Sequence, residues 1–329
     1  MKKILTVIAL SATLALTACG KTETVSDSVP ESAPGYIPPI SPTSTESSGE
    51  DSESSSETSD APSESEPEKI TECPYKVGDP VGPEDLPSRN AAAYIVTETA
   101  RDGETDEVRF VVWNIYDKYD NILAIIGEDS EYYYSYEYDE DGNIKRQYNG
   151  SAENYEENEY KDGLTSKYTV FTGGKAQYEV ELFYDEHGTL VKDVSHFFTD
   201  DSTTTAINMK AEYDDRGNLS RAVYLNSSGE EREIDVLEYN ENDECIKSVR
   251  TMKPGTDKEY TVTEIYTYND KGSTLSRHFI KVLKDGTVSL EYRDEYEYNS
   301  DNCKTEERHF VIEDGTETLK TVTGYEYET

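Results

Sequence analysis

Beyond residue 92 the chain alternates apolar and polar positions with a period of two. Tyr178, Val180, Leu182 and Tyr184 fall on one side of an extended segment, with Glu179 and Glu181 on the other. Ile207, Met209, Ala211 and Tyr213 repeat that arrangement. A period of two predicts β-strands with one face buried. The alternation is broken at regular places by one motif, clearest in Tyr138-Asp139-Glu140-Asp141-Gly142-Asn143-Ile144, Tyr184-Asp185-Glu186-His187-Gly188-Thr189-Leu190 and Tyr213-Asp214-Asp215-Arg216-Gly217-Asn218-Leu219. Looser copies start at Tyr116, Tyr239, Tyr268 and Tyr298, a shortened one is Tyr160-Lys161-Asp162-Gly163-Leu164, and Tyr327 begins a truncated last copy. Successive anchor tyrosines stand 22 to 30 residues apart, the signature of a repeat architecture.

Asp or Asn after the tyrosine and Gly three places further on suit a type I turn followed by a left-handed residue. The anchor tyrosine and the Ile or Leu six places later then face each other across a hairpin. Second turns at Gly173-Gly174, Ser227-Ser228-Gly229, Pro254-Gly255, Asp285-Gly286 and Asp314-Gly315 close each unit. Every repeat is therefore a pair of antiparallel strands. About sixteen strands follow, more than a twisted open sheet carries without curling. The predicted fold is all-β, an extended antiparallel β-hairpin meander that is curved or wrapped, with a compact two-sheet sandwich as the alternative.

These units resemble the tyrosine-aspartate (YD) repeats of the RHS type, centred on Tyr-Asp-x-x-Gly followed by a small polar residue and Leu. The resemblance spans about residues 110 to 329 and is good in the copies at Tyr138, Tyr184 and Tyr213. It implies a β-repeat sheet. Large members build shells around a toxin cargo, but this chain has neither the length nor a toxin or self-cleaving domain. Carbohydrate binding is a further implication of the resemblance.

Upstream the pattern disappears. Residues 73–92 are rich in Pro and Gly, from Cys73-Pro74-Tyr75 to Arg89, and read as a loop or cap leading into the repeat domain, 73–329. Residues 19–72 are dominated by Ser, Thr, Glu, Asp and Pro, with 13 acidic and 2 basic residues. Such a segment buries too little apolar area to offset its ordering entropy, so a disordered, self-repelling spacer is expected. Met1-Lys2-Lys3 and the apolar run Ile4 to Ala18 form the n- and h-regions of a signal peptide, residues 1–18. That run is shorter than the roughly 20 residues a spanning helix wants. Leu16-Thr17-Ala18-Cys19 resembles the bacterial lipobox, which implies cleavage before Cys19 and lipidation of its sulfur. Two or three acyl chains at about 0.8 kcal/mol per buried CH₂ give essentially permanent attachment. The expected location is the extracytoplasmic face of a membrane, the outer one if the organism has two.

Charge removes some partners. Residues 73–329 hold 57 acidic against 27 basic residues, a domain that repels nucleic acid and anionic membrane surfaces. Turns such as Asp139-Glu140-Asp141-Gly142 gather carboxylates, yet they lack the six or more correctly spaced oxygens of a calcium loop. Arg146, Lys192, Arg221 and Lys247 each lie eight places after an anchor. They are expected opposite Tyr136, Leu182, Ala211 and Leu237, as a column over the aromatic face. The 27 tyrosines raise the idea of sugar stacking, but most sit at the anchor or two places before it, where strand packing needs them.

No phosphate loop, His-Glu-x-x-His, Gly-x-Ser-x-Gly or Cys-x-x-Cys is present. Catalytic residues, metal ligands and cofactors are therefore not expected. His278 and His309, each within Arg-His-Phe, read as equivalent positions two strands apart, about 9.6 Å, too far to share a metal. Cys73, Cys245 and Cys303 remain after Cys19, with Cys73 the expected partner if a disulfide forms. The sequence thus predicts a lipid-anchored, noncatalytic repeat module for contact with a surface protein or envelope component. A carbohydrate-binding lipoprotein and a calcium-dependent adhesin are the alternatives.

Overall fold

A computed structural model of the chain describes residues 72–128 and 130–329. The signal peptide, Cys19 and the spacer through residue 71 lie outside the described residues. The rest is all-β. The segment 73–92 leads into β1 (Tyr94–Asp102) and β2 (Val108–Tyr116), followed by β3 (Ile122–Ile126) and β4 (Glu131–Tyr138). Next come β5 (Ile144–Asn149), β6 (Ser151–Lys161), β7 (Leu164–Thr172), β8 (Lys175–Tyr184), β9 (Leu190–Phe197) and the short β10 (Ser202–Thr204). The second half holds β11 (Met209–Tyr213), β12 (Leu219–Leu225), β13 (Glu231–Tyr239), β14 (Cys245–Met252) and β15 (Tyr260–Tyr268). It ends with β16 (Thr274–Leu283), β17 (Val288–Tyr298), β18 (Lys304–Glu313) and β19 (Thr316–Glu328). Among the described residues nineteen strands form one antiparallel sheet, three more than the repeat spacing predicts, and no two-sheet sandwich is present.

Each strand pairs with its successor, with one interruption between β10 and β11. The meander also returns on itself, because β1 pairs with β19 from Ile95 opposite Glu328 to Asp102 opposite Thr321. At that joint the β1–β2 turn lies against β19. The Gly103 amide donates to the Lys320 carbonyl at 3.0 Å, and a Cβ on Gly103 would stand 2.6 Å from the Leu319 carbonyl oxygen. Only glycine fits there. The opposite end of the strand order is a narrow seam. Lys192 on β9 bridges Asn208 before β11, and the Asp193 carboxylate accepts the Ala206 and Ile207 amides at 2.8 and 2.9 Å.

The repeat motif builds its turn as the sequence requires. Asp139 Oδ1 accepts the amides of Asp141 and Asn143 at 3.0 and 2.8 Å, and Gly142 takes φ +86°. The looser copies keep this geometry with Asp120, Asp243 and Asn302 at φ 66°, 63° and 67°, residues that tolerate the left-handed region. The facing pairs are also as expected: Tyr138 opposite Ile144, Tyr184 opposite Leu190, Tyr213 opposite Leu219.

One extra residue follows each of these pairs, as in a bulge. Tyr138 faces Ile144 but Glu137 faces Arg146, so Lys145 is passed over. The next interstrand ladder stops short in the same place, and the anchor tyrosine completes it with its hydroxyl. Tyr160 donates to the Ile144 carbonyl at 2.9 Å, Tyr239 to Leu219 at 2.9 Å, Tyr268 to Cys245 at 2.6 Å, Tyr298 to Thr274 at 2.8 Å and Tyr327 to Lys304 at 3.0 Å. Each tyrosine thus fastens its hairpin to the preceding one.

Packing differs between the two faces. The face bearing the anchor tyrosines holds Asp235, Glu264, Arg277, Tyr292 and Asp294 buried, while Val236 and Ile265 on the opposite face are exposed. Residues 73–92 cover that opposite face at β2 to β4, where Val81 and Ala92 pack with Trp113, Ile115, Ala124 and Ile126. On the tyrosine face Tyr94, Val96, Tyr116, Ile122 and Tyr325 make a second cluster, with the Tyr94 and Tyr116 rings stacked 4.7 Å apart.

Candidate binding face

Four repeats place an acid four residues before the anchor: Glu156, Asp235, Glu264 and Asp294. That spacing keeps each acid in phase with its tyrosine, hence on the tyrosine face. Two of the four meet a guanidinium from the following strand, and a third meets an imidazole. Asp235 faces Arg250, and the Arg250 Nε lies 3.1 Å from Asp235 Oδ1 and 3.2 Å from Glu233 Oε1. Arg277 lies one diagonal from Glu264 and holds its carboxylate through Nε at 2.8 Å and Nη2 at 2.7 Å. Asp294 faces both Arg277 and His309, with His309 Nδ1 at 2.7 Å. An alternating belt of charge therefore crosses β13 to β17, and the His309 imidazole adjoins it on β18.

Burial is what makes this belt sensitive. It pushes the carboxyls of Asp235 and Glu233 up, against the pull of Arg250. Glu98 on β1 is raised for the same reason, opposed by Lys304, and it accepts a hydrogen bond from the Asn114 side chain at 2.6 Å. The fourth acid of the series differs. Burial raises the Glu156 carboxyl, its opposing contact is the neutral Asn158 side chain, and the residue facing it on β7 is Val170.

The cationic column sits elsewhere than the sequence suggests. Arg146, Lys192, Arg221 and Lys247 face Glu137, Phe183, Glu212 and Glu238. The bulged residue shifts the register by one and turns all four to the opposite face. Arg146 pairs with Glu157 at 2.9 Å and lies 5.5 Å from the Tyr155 ring, not on Tyr136. Lys247 pairs with Glu238 at 2.9 Å.

The two Arg-His-Phe segments are not equivalent. Arg277 follows its anchor by nine residues and Arg308 by ten, which inverts the faces. His278 accordingly faces Arg293 and contacts Glu291 at 2.9 Å, whereas His309 joins the buried belt. His187 stacks 3.9 Å from Tyr213, whose hydroxyl donates to Asp185 across the seam. Burial and the neighbouring Asp185 push the Tyr213 phenol up to about 12. Cys73 and Cys245 are free thiols, so the expected bridge from Cys73 does not form.

The turn acids line a cleft of about 650 Å³ with Asp139, Asp141, Asn158, Tyr160 and Asp162 in its wall. Both oxygens of Asp139 are already engaged, Oδ1 by backbone amides and Oδ2 by the Asn143 side chain at 3.0 Å. Among the described residues no group of three or more His, Cys, Asp or Glu side chains is placed to hold a metal. The lipidation residue, Cys19, lies outside the described residues.

The fold defines a class, a single-sheet antiparallel β-hairpin repeat protein. No protein-family model matches the chain, and no curated protein matches its sequence. Among solved structures it is similar to TcdB2-TccC3-TEV, with 11% identity and a TM-score of 0.33 over 68% of this chain and 13% of that one. The Photorhabdus luminescens Tc holotoxin pore gives 11% identity and a TM-score of 0.34, over 68% of this chain and 12% of the other. A porin-like protein from Bacteroides uniformis has 13% identity and a TM-score of 0.38, over 74% of this chain and all of its own. The chain spans about an eighth of the length of the first two.

Proposed function

We propose that the chain is a lipid-anchored extracytoplasmic protein that displays a noncatalytic β-repeat sheet for contact with a surface protein or envelope component. The observation that carries the contact surface is on the face opposite the anchor tyrosines. Val236 on β13 and Ile265 on β15 stand 42% and 39% exposed in mid-strand, with Val249 facing Val236 between them. Exposed aliphatic side chains grouped across neighbouring strands mark a place where another surface is covered. The lipobox-like Leu16-Thr17-Ala18-Cys19 and the acidic spacer supply the anchor and the reach.

Crosslinking of the lipidated protein in intact cells, followed by recovery of its partners, tests both halves. The wild type should fractionate with membranes and Cys19→Ser should not. Val236→Lys with Ile265→Lys should lose the crosslinked partner while keeping the fold. Equal membrane recovery of Cys19→Ser would end the anchoring argument, and an unchanged partner set in the lysine variants would end the surface assignment. A second reading, glycan binding, draws on Tyr119 and Tyr132, which are 50% and 48% exposed. Saturable signal on a glycan array, lost in Tyr119→Ala and Tyr132→Ala, would favour it.

A further inference from the structure

The repeats state their own rule for the acid four places before the anchor. In the units of Tyr239 and Tyr298 a guanidinium stands directly opposite that acid, Arg250 or Arg277. In the unit of Tyr268 the cation, Arg277, lies on the diagonal, opposite Tyr266. In the unit of Tyr160 both places are filled differently. Val170 stands opposite Glu156, and Tyr168 takes the position corresponding to Arg277, opposite Asn158. Gln147 stands opposite Glu156 on β5, so neither residue paired directly with this partly buried carboxylate is cationic.

Toward β7 and β8 its neighbours are a valine and two tyrosines. Val170 faces Tyr178 on β8, so Glu156, Val170 and Tyr178 form one row across three strands on the tyrosine face. Glu156 and Tyr178 are then about 9.6 Å apart at the backbone, two strand spacings, with the short valine between them. Tyr168 is the diagonal neighbour of this row, and the Phe197 ring packs 5.4 Å from Tyr178. The negative charge of Glu156 is felt at both phenols and helps raise them, after burial itself. A carboxylate and two tyrosines set around a short valine supply the charge and the aromatic groups that hold an ammonium ion.

We propose that Glu156, Val170, Tyr168 and Tyr178 form a recognition site for an alkylammonium group. Glu156 supplies the charge partner that Asp235 and Asp294 supply to Arg250 and Arg277. The tyrosine rings cover the alkyl portion, and Val170 sets the depth. The inference stands apart from the anchored-display reading, because it requires neither lipid nor a partner protein.

The test uses the purified full chain in detergent and three probes: n-pentylammonium, its neutral analogue pentanol, and tetramethylammonium. Calorimetric titration should show saturable binding of n-pentylammonium and none of pentanol, with tetramethylammonium reporting whether N–H donors are needed. Glu156→Gln should weaken n-pentylammonium by at least about tenfold. Val170→Leu, which fills the floor and leaves the charge, should weaken it comparably. Folding does not confound the first variant, since removing an uncompensated buried charge should raise its unfolding midpoint. The proposal fails if n-pentylammonium binds no better than pentanol, or if Glu156→Gln binds it as the wild type does.

Discussion

Replacing Arg277 with Met removes the cation at the centre of the buried belt. Its side chain is 6% exposed and that of Glu264 10%. Nε and Nη2 both hold Glu264, Nη2 also donates to the Tyr292 hydroxyl at 3.0 Å, and Asp294 stands directly opposite. Methionine keeps the stem against Phe279 and Tyr292 but leaves Glu264 buried without its charge partner. Breaking a buried pair from one side costs about 3–5 kcal/mol, because the remaining ion keeps its desolvation penalty. Removing both charges in Arg277→Met with Glu264→Gln removes that penalty as well, so the double variant should recover most of the loss. Urea unfolding followed by tyrosine fluorescence measures all three proteins, with the midpoint and slope fitted together. A single variant that loses less than about 1 kcal/mol, or a double variant as unstable as the single one, would refute the buried-pair account.

The remaining predictions address the ladder, the seam and the titration of the tyrosine face. Tyr268→Phe leaves the Cys245 carbonyl without its donor at 2.6 Å and should cost about 1 kcal/mol in the same unfolding assay, with no cost expected at exposed Tyr119→Phe. Asp193→Ala frees the Ala206 and Ile207 amides, so hydrogen exchange should rise at residues 206–208 well before it rises in β15 or β16. Burial sets the Glu156 carboxyl above its ordinary 4.5. A carboxyl raised in this way holds its proton more tightly when folded, so it costs stability above the raised value and nothing below the ordinary one. The stability gained by Glu156→Gln should therefore be largest near neutrality, shrink as pH falls through the raised range, and vanish below about 4.5. A gain independent of pH would contradict that cause.

Much of the sheet is written locally in the chain. The Tyr-Asp-x-x-Gly unit specifies the turn, the left-handed position and the facing pair six residues on, and those three hold even where Asp120, Asp243 or Asn302 replaces glycine. The bulge behind each pair is where sequence reasoning slips. One uncounted residue at Lys145 exchanges Tyr136 for Glu137 opposite Arg146 and sends a whole column of cations to the other face. The return of β19 to β1 pairs residues more than 200 positions apart, which no local pattern encodes. The charged belt did leave a signal, an acid four places before the anchor in four units, but its partners arrive from the next strand at offsets that only the register decides. The tyrosine hydroxyls were hidden for a similar reason. Periodicity shows that the rings pack, not that the ladder beside them has run out of amides.

The pairing of β1 with β19 imposes a rule of arithmetic on the protein's history. A meander in which every strand runs opposite to its neighbour can meet itself antiparallel only when the strands in the circuit are even in number. Here that circuit runs from β1 to β9 and from β11 to β19, with β10 as a side piece on β9. Gain or loss of one strand would bring the two ends together parallel and forfeit the joint. Gain or loss of a whole tyrosine-anchored hairpin would leave it intact, so the chain is free to change its girth only in steps of two.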